Sequence, residues 1–290
     1  MPWYFYAFLT AIFVSLASLV EKKVLHRVHS MSFSASLAIL NFVFSLPFIF
    51  VLDFSKITKL SLVIIFIAGF LAAISFLFVA KALRDMDIST VSPVLALNPG
   101  ASALMAFVFL GEKLSTTGVF GIILMVVGSY VLMIATNHGF KHHFKSFFKN
   151  KETVFVLLSI IFYALTSVVD RYLVADLYID PLAYLFFVHL FIAVIFMVMA
   201  SGWGKGISGI AEAMKTDGAA ITLISLFTIA YRYFQLLAFQ TAFVGLVSTI
   251  KRSSSFFTTI IGGELFHEKN IFLKSISSLI IIAGCVLVLI

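Results

Sequence analysis

Apolar residues run along this chain in long unbroken stretches, not in the alternation of half-buried strands. A helix needs about 20 apolar residues to cross the hydrocarbon core of a bilayer. Counting such runs gives about ten, near 3–22, 31–52, 61–81, 88–110, 116–135, 153–173, 181–200, 218–240, 245–266 and 271–290. A membrane β-barrel requires polar and apolar residues to alternate over roughly ten positions, whereas the run from Ser61 to Ala80 is apolar on all sides. The pattern therefore predicts an all-α integral membrane protein of ten transmembrane helices. Spans eight and nine are the least clean, because Arg232, Lys251 and Arg252 interrupt them. The first run has no Lys or Arg before it and no evident small-residue cleavage site, so it reads as a retained span and not as a signal peptide.

Composition agrees with that pattern. Of 290 residues, 62% are hydrophobic and 11% charged, against about 25% charged in a soluble domain. Mean hydropathy is +1.13. The net charge of +7 in a soluble protein would suggest nucleic acid. Here the basic residues sit in short loops, where they set topology and touch lipid headgroups, so no nucleic-acid partner is expected. Cys285 is the single cysteine, which excludes an intrachain disulfide and a cysteine metal site. The longest polar stretch of the first two thirds, 137–152, contains His142 and His143 but nothing acidic or thiol-bearing beside them. It reads as a basic linker, not a metal site.

An internal repeat organises the spans. Ala17-Ser18-Leu19-Val20-Glu21-Lys22 matches Thr166-Ser167-Val168-Val169-Asp170-Arg171 in chemical type at an offset of 149, and Ser32 falls opposite Pro181. Later the offset becomes 156: Val91-Ser92 falls on Val247-Ser248, Glu112-Lys113 on Glu268-Lys269 and Gly128 on Gly284. The Gly-rich stretch 202–206 absorbs the slip. This divides the chain into a first five-helix repeat (1–136), the basic linker (137–152) and a second five-helix repeat (153–290). Five is odd, so the second repeat enters the membrane from the opposite side, as inverted-topology transporter repeats do. A monomer suffices, since the duplication supplies both halves; a dimer stays open. The loops after odd-numbered spans carry most Lys and Arg, Lys22, Lys23, Arg27, Lys81, Arg84, Lys205 and Lys215 among them, while the other face carries Lys56, Lys59, Lys113 and Arg171. That bias places both termini outside a cell membrane.

The five-plus-five duplication, with Glu-Lys ending spans four and nine before a Gly-bearing apolar helix, resembles the drug/metabolite transporter superfamily, in its EamA-type branch. The resemblance implies a central cavity between the halves, lined largely by spans one, three, four, six, eight and nine, and a metabolite as substrate.

Ionisable groups at bilayer depth cost about 2.5–3.5 kcal/mol on insertion scales unless paired or hydrated, which makes each a candidate. Lys251 and Arg252 stand about 100° apart on a helix. They are similar to the phosphate-binding pair in the ninth span of plastid phosphate translocators, which implies an anion site; snorkelling to headgroups is the other reading. Arg232 lies mid-span between Tyr231 and Tyr233, with Gln235 at i+3, and reads as facing a cavity unless a carboxylate pairs with it. Glu21 and Asp170 occupy equivalent places and are read as ion pairs with Lys22 and Arg171, or as coupling carboxylates. Asn41 and His189 are helix–helix hydrogen-bonders or ligands. Asn98 precedes Pro99-Gly100, which frees carbonyls toward a cavity or simply kinks the helix. Glu112 and Glu268 read as caps of following helices.

These readings converge on a secondary transporter of a small polar metabolite, anionic if Lys251 and Arg252 bind it, working by alternating access. No cofactor is expected, and no G-x-x-x-x-G-K-[ST] run is present, so transport is expected to be exchange or ion-coupled. The alternatives are efflux of a drug, cation or amino acid through Glu21 or Asp170, and an intramembrane lipid-modifying enzyme. No H-E-x-x-H, G-x-S-x-G or catalytic cysteine supports the last, so no enzyme is expected.

Overall fold

The computed structural model describes residues 1–85, 95, 97–113, 115–136, 151–202, 205–254 and 271–289. The chain forms ten helices over these residues: α1 (Trp3–Leu25), α2 (Ser30–Ser45), α3 (Lys59–Asp85), α4 (Asn98–Leu110), α5 (Thr116–Thr136), α6 (Lys151–Arg171), α7 (Pro181–Gly202), α8 (Gly206–Phe239), α9 (Val244–Arg252) and α10 (Ile271–Leu289). A short 3-10 turn, Leu46–Phe50, extends α2, and a π turn, Tyr172–Asp176, extends α6. Among the described residues, six helices are long and apolar enough to cross a membrane: α1, α2 with its 3-10 turn, α3, α6 with its π turn, α7 and α8; Asn98–Leu110 and Thr116–Gly128 are shorter apolar helices. The chain is an all-helical membrane protein of two repeats.

One described boundary differs from the sequence expectation. Span eight was expected at 218–240, but α8 begins at Gly206 and bends at Asp217, whose backbone (φ −137°, ψ 29°) is not helical. The piece before the bend carries Glu212 and Lys215, and the stretch after it, 218–239, is the apolar part. Asn98-Pro99 was expected inside a span; Asn98 opens α4 and Pro99 sits in its first turn, where proline costs no hydrogen bond, while Leu95 before it is also helical and residues 86–94 and 96 of the expected span lie outside the described residues. Most of the basic linker, with His142 and His143, lies outside the described residues, as do Val91, Ser92, Glu268 and Lys269 of the repeat.

Packing crosses between the repeats. Among the described residues the main helix contacts are α5 with α10, α1 with α8, α3 with α6, α2 with α8, α2 with α7, α4 with α6, α3 with α7, α4 with α9 and α1 with α9. Exchange each helix for its counterpart five places on and the set maps onto itself. Single contacts obey the same exchange. Phe234 stacks against Tyr6 and Phe13, with ring centroids at 6.3 and 5.9 Å. At the sequence offsets these three correspond to Phe78, Phe155 and Phe162, and Phe78 lies 5.0 Å from Phe155 and 6.3 Å from Phe162. The Thr10 hydroxyl donates to the Tyr231 carbonyl (3.4 Å), and at the equivalent pair the counterpart helices are joined by a bond in the opposite direction, from the Ser75 hydroxyl to the Ser159 carbonyl (3.0 Å).

Helices embedded in lipid gain little from burying apolar surface against each other, so they associate through close backbone approach. The α5–α10 pair shows it at both matched glycines. A Cβ on Gly128 would lie 2.8 Å from Ile281 Cγ1, and one on Gly284 would lie 2.6 Å from the Gly121 carbonyl oxygen and 2.9 Å from the Met125 amide nitrogen. Because the obstacle at Gly284 is backbone, Gly284→Val is expected to destabilise the protein by about 1–3 kcal/mol. Gly202→Ala, where nothing lies within 4 Å, should stay within about 0.5 kcal/mol. Thermal unfolding in detergent measures both, and equal midpoints would contradict the close approach.

Candidate functional site

Polar side chains gather where α6, α7, α8 and α9 meet. Asp170, one residue before the end of α6, is fully buried. A lone carboxylate there would carry an uncompensated charge. Arg232 of α8 answers it, with Nη1 2.8 Å from Oδ2, and the buried Tyr184 hydroxyl of α7 donates to Oδ1. This pairing differs from the expected one, Asp170 with Arg171. Consecutive helical residues diverge by about 100°, so Arg171 points elsewhere. Its Nε lies 3.2 Å from Glu112 Oε1, and its Nη1 3.7 Å from Asp176.

Arg232 is thus held largely by a carboxylate. Its Nη2 is buried with no hydrogen-bond partner, which leaves one donor of the fork unused. His189, on α7 five residues after Tyr184, is buried with Nδ1 unpartnered, within electrostatic reach of Arg232.

On α8, Tyr231 and Gln235 are four residues apart and share a face. Both turn to α9. Lys251 Nζ donates to Gln235 Oε1 at 2.7 Å and lies 5.1 Å from the Tyr231 ring centroid. Gln235 therefore serves Lys251 and not Arg232. No carboxylate among the described residues forms a salt bridge with Lys251. Arg252 follows, half-buried, at the last described turn of α9. Tyr163 of α6 lies within electrostatic reach of Tyr231, Glu21 and Arg232.

Glu21 of α1 completes the group from the first repeat. It pairs with neither Lys22 nor any other described cation, so the expected ion pair is not formed. The repeat offsets supply the reason: the counterparts of Tyr184 and Arg232 are Ala35 and Phe76. The second repeat partners its carboxylate and the first does not.

The other predicted residues link helices. Asn41 Oδ1 accepts the Ser225 hydroxyl at 2.6 Å, joining α2 to α8. Asn98 accepts the Ser102 hydroxyl at 3.4 Å and donates to the Ile160 carbonyl at 3.5 Å, a long contact between α4 and α6. Glu112 caps a helix, but not the one that follows it in sequence: both its oxygens accept the Val244 amide at the start of α9, at 3.2 and 3.0 Å. With Arg171 it ties the ends of α4 and α6 to the start of α9. Burial pushes the Glu112 carboxyl up from its ordinary value, against the opposing pull of the Val244 amide and the Arg171 guanidinium. Tyr184 and Tyr163 were not singled out in the sequence, because an aromatic in a long apolar run reads as packing.

The comparisons with known proteins agree with this architecture. The sequence profile described as the EamA-like transporter family matches residues 1–134 and 150–290, one segment for each half. A solved crystal structure superposes with a TM-score of 0.69 at 15% identity, covering 98% of this chain and 94% of that one, a likeness that speaks for the fold alone. No curated protein matches the sequence.

Asp170→Asn should strand the Arg232 charge and cost about 3–5 kcal/mol, whereas the double substitution Asp170→Leu/Arg232→Met should recover most of that loss. Tyr184→Phe should cost about 1–3 kcal/mol, the value of a buried bond to a charged group. Thermal unfolding of the purified variants tests the set, and a double variant no better than Asp170→Asn would show that the pair is not the reason.

Proposed function

The chain belongs to the EamA-like transporter family, and from that premise we propose that it is a secondary transporter of a small polar metabolite carrying an anionic group. The observation that carries the reading is Lys251. Its ammonium is held by an amide oxygen and a ring face, both neutral, beside the Arg252 charge and an Asp170–Arg232 pair that is already balanced. A cation placed so in a low-dielectric interior attracts an anion. A substrate phosphate or carboxylate would meet Lys251 directly and Arg252 at the edge of the same turn, about 100° round the helix, with Tyr231 and Tyr163 as aromatic walls. Arg232 Nη2, buried and without a hydrogen-bond partner, would be a further donor if the site opens toward it.

Alternating access has a physical basis in the exchangeable contacts between the repeats. Rocking one half against the other swaps near-equivalent packings instead of losing packing altogether. The Glu112–Arg171–Val244 cluster is placed to hold one end of the bundle shut. The reading takes the protein as a monomer in a cell membrane, with both termini outside, acting as a carrier and not an enzyme.

A second reading is supported by Glu21, the carboxylate that no described cation neutralises. It suits a protonatable coupling site, or the contact for a cationic drug or amino acid.

The test is thermal stabilisation of purified protein across sugar phosphates, nucleotide sugars, organic acids, amino acids and cationic drugs. A ligand at about 100 times its Kd stabilises by about 2.7 kcal/mol. An anionic class should stabilise the wild type, and Lys251→Gln or Arg252→Ala should weaken it roughly ten- to hundredfold, the value of one bond to a charged group. Stabilisation by cations alone, abolished by Glu21→Gln, would replace the first reading with the second.

A further inference from the structure

A second polar feature lies far from this site. A cleft of about 330 Å³ opens where α1 and α3 end and α2 and α8 begin, lined among others by Arg27, His29, Ser32, Arg84, Lys205 and Glu212. Glu212 and Arg232 are 20 residues apart (232 − 212) on α8, about 30 Å of helix at 1.5 Å per residue, with the bend at Asp217 between them. The cleft and the central group are therefore separate.

The lining favours an anion. It has three cations from three separate stretches of the chain, the α1–α2 connection, the last turn of α3 and the residue before α8, and one carboxylate. That carboxylate is already engaged, Glu212 Oε2 lying 2.7 Å from Lys205 Nζ. Arg27 touches Asp217 only at 3.8 Å and is 60% exposed. Arg84 forms no salt bridge with any described carboxylate. Ser32 is nine-tenths buried, and its hydroxyl donates to no described group.

The backbone adds to this field. Helices α2 and α8 both start at the cleft, and neither carries an acidic residue in its first turn. The start of α8 has no side-chain cap. Unsatisfied amides at a helix start attract anions. The cleft is also firmly built: a Cβ on Gly209 would lie 2.6 Å from Ser32 Oγ, so α2 and α8 meet there without room to slide.

We propose that this cleft between the ends of α1 and α3 and the starts of α2 and α8 binds a phosphate-bearing anion, gripped by Arg27, Arg84 and Lys205 with the Ser32 hydroxyl as a further donor. Arginine forks fit phosphate oxygens two at a time, and lysine adds a point charge. The volume is at the lower limit of ligand pockets, about 300–1,000 Å³, so it takes a phosphate and a short substituent, not a whole nucleotide or acyl chain. A lipid headgroup at the membrane surface and a soluble phosphate ester share that chemistry.

The test uses the full chain, purified in neutral detergent and stripped of lipid. Thermal unfolding and titration calorimetry follow two probes, inorganic phosphate and dioctanoyl phosphatidylglycerol. Ionic strength is matched with KCl, and dioctanoyl phosphatidylcholine serves as the control whose choline cancels the charge. Saturable binding of at least one anionic probe is expected, weakened at least tenfold by Arg27→Gln and by Arg84→Gln, both exposed positions. Lys251→Gln should leave this binding unchanged, which separates the cleft from the central site. Binding of phosphatidylglycerol alone assigns a headgroup; binding of inorganic phosphate assigns a soluble ester. Absence of saturable binding by both probes, or equal affinity in the wild type and both arginine variants, overturns the proposal.

Discussion

Among the described residues, the two repeats of this protein pack mainly on each other. The heaviest helix contacts join a helix of one half to a helix of the other, with α7 against α8 the largest within a half. In lipid, where apolar burial gives helices little reason to associate, the fold depends on how well the two halves interlock. The glycines of α5 and α10, the stacked rings around Phe78 and Phe234, and the hydroxyl-to-carbonyl bonds at Thr10 and Ser75 are that interlock in its repeated form. Polar groups at bilayer depth are placed by the same frame: α6, α7 and α8 must be docked before Asp170, Tyr184 and Arg232 can meet.

Symmetry stops at the charges. The matched carboxylates, Glu21 and Asp170, sit on equivalent helices, yet one has an arginine and a tyrosine and the other has Ala35 and Phe76 at those places. The two central cations divide in the same way. Arg232 is largely neutralised inside the second repeat, while Lys251 is oriented by neutral groups. The interior is thus polarised by what each copy kept after duplication.

Much of this was legible in the sequence. Runs of apolar residues at membrane length fix the helix class, and matched pairs such as Gly128 with Gly284 reveal the repeat because close packing tolerates no other residue there. Pairings were harder to read. Asp170 has a cation as its next neighbour, but helix geometry turns adjacent side chains apart, so its partner comes from 62 positions away. Glu112 stands before one helix and caps another, 132 positions on. Such contacts depend on which helices dock, and hydropathy does not encode that. Tyr184 was hidden for a simpler reason: its ring belongs in an apolar run, and only its buried hydroxyl discloses a second task.

The apolar replacements at 35 and 76 have a thermodynamic consequence. A duplicated carrier with identical halves would rest equally in its two orientations, since each would be the mirror of the other in energy. Here, among the described residues, the tie from α6 to α7 and α8 has no twin linking α1, α2 and α3, so in the proposed cycle nothing requires the two orientations of the empty protein to be equal in free energy. In that cycle, any such difference would set which way the empty molecule faces, and so which side of the bilayer meets an open binding site first. It leaves the direction of net flux to the solute gradients, because a difference between states of the protein cancels around a complete cycle.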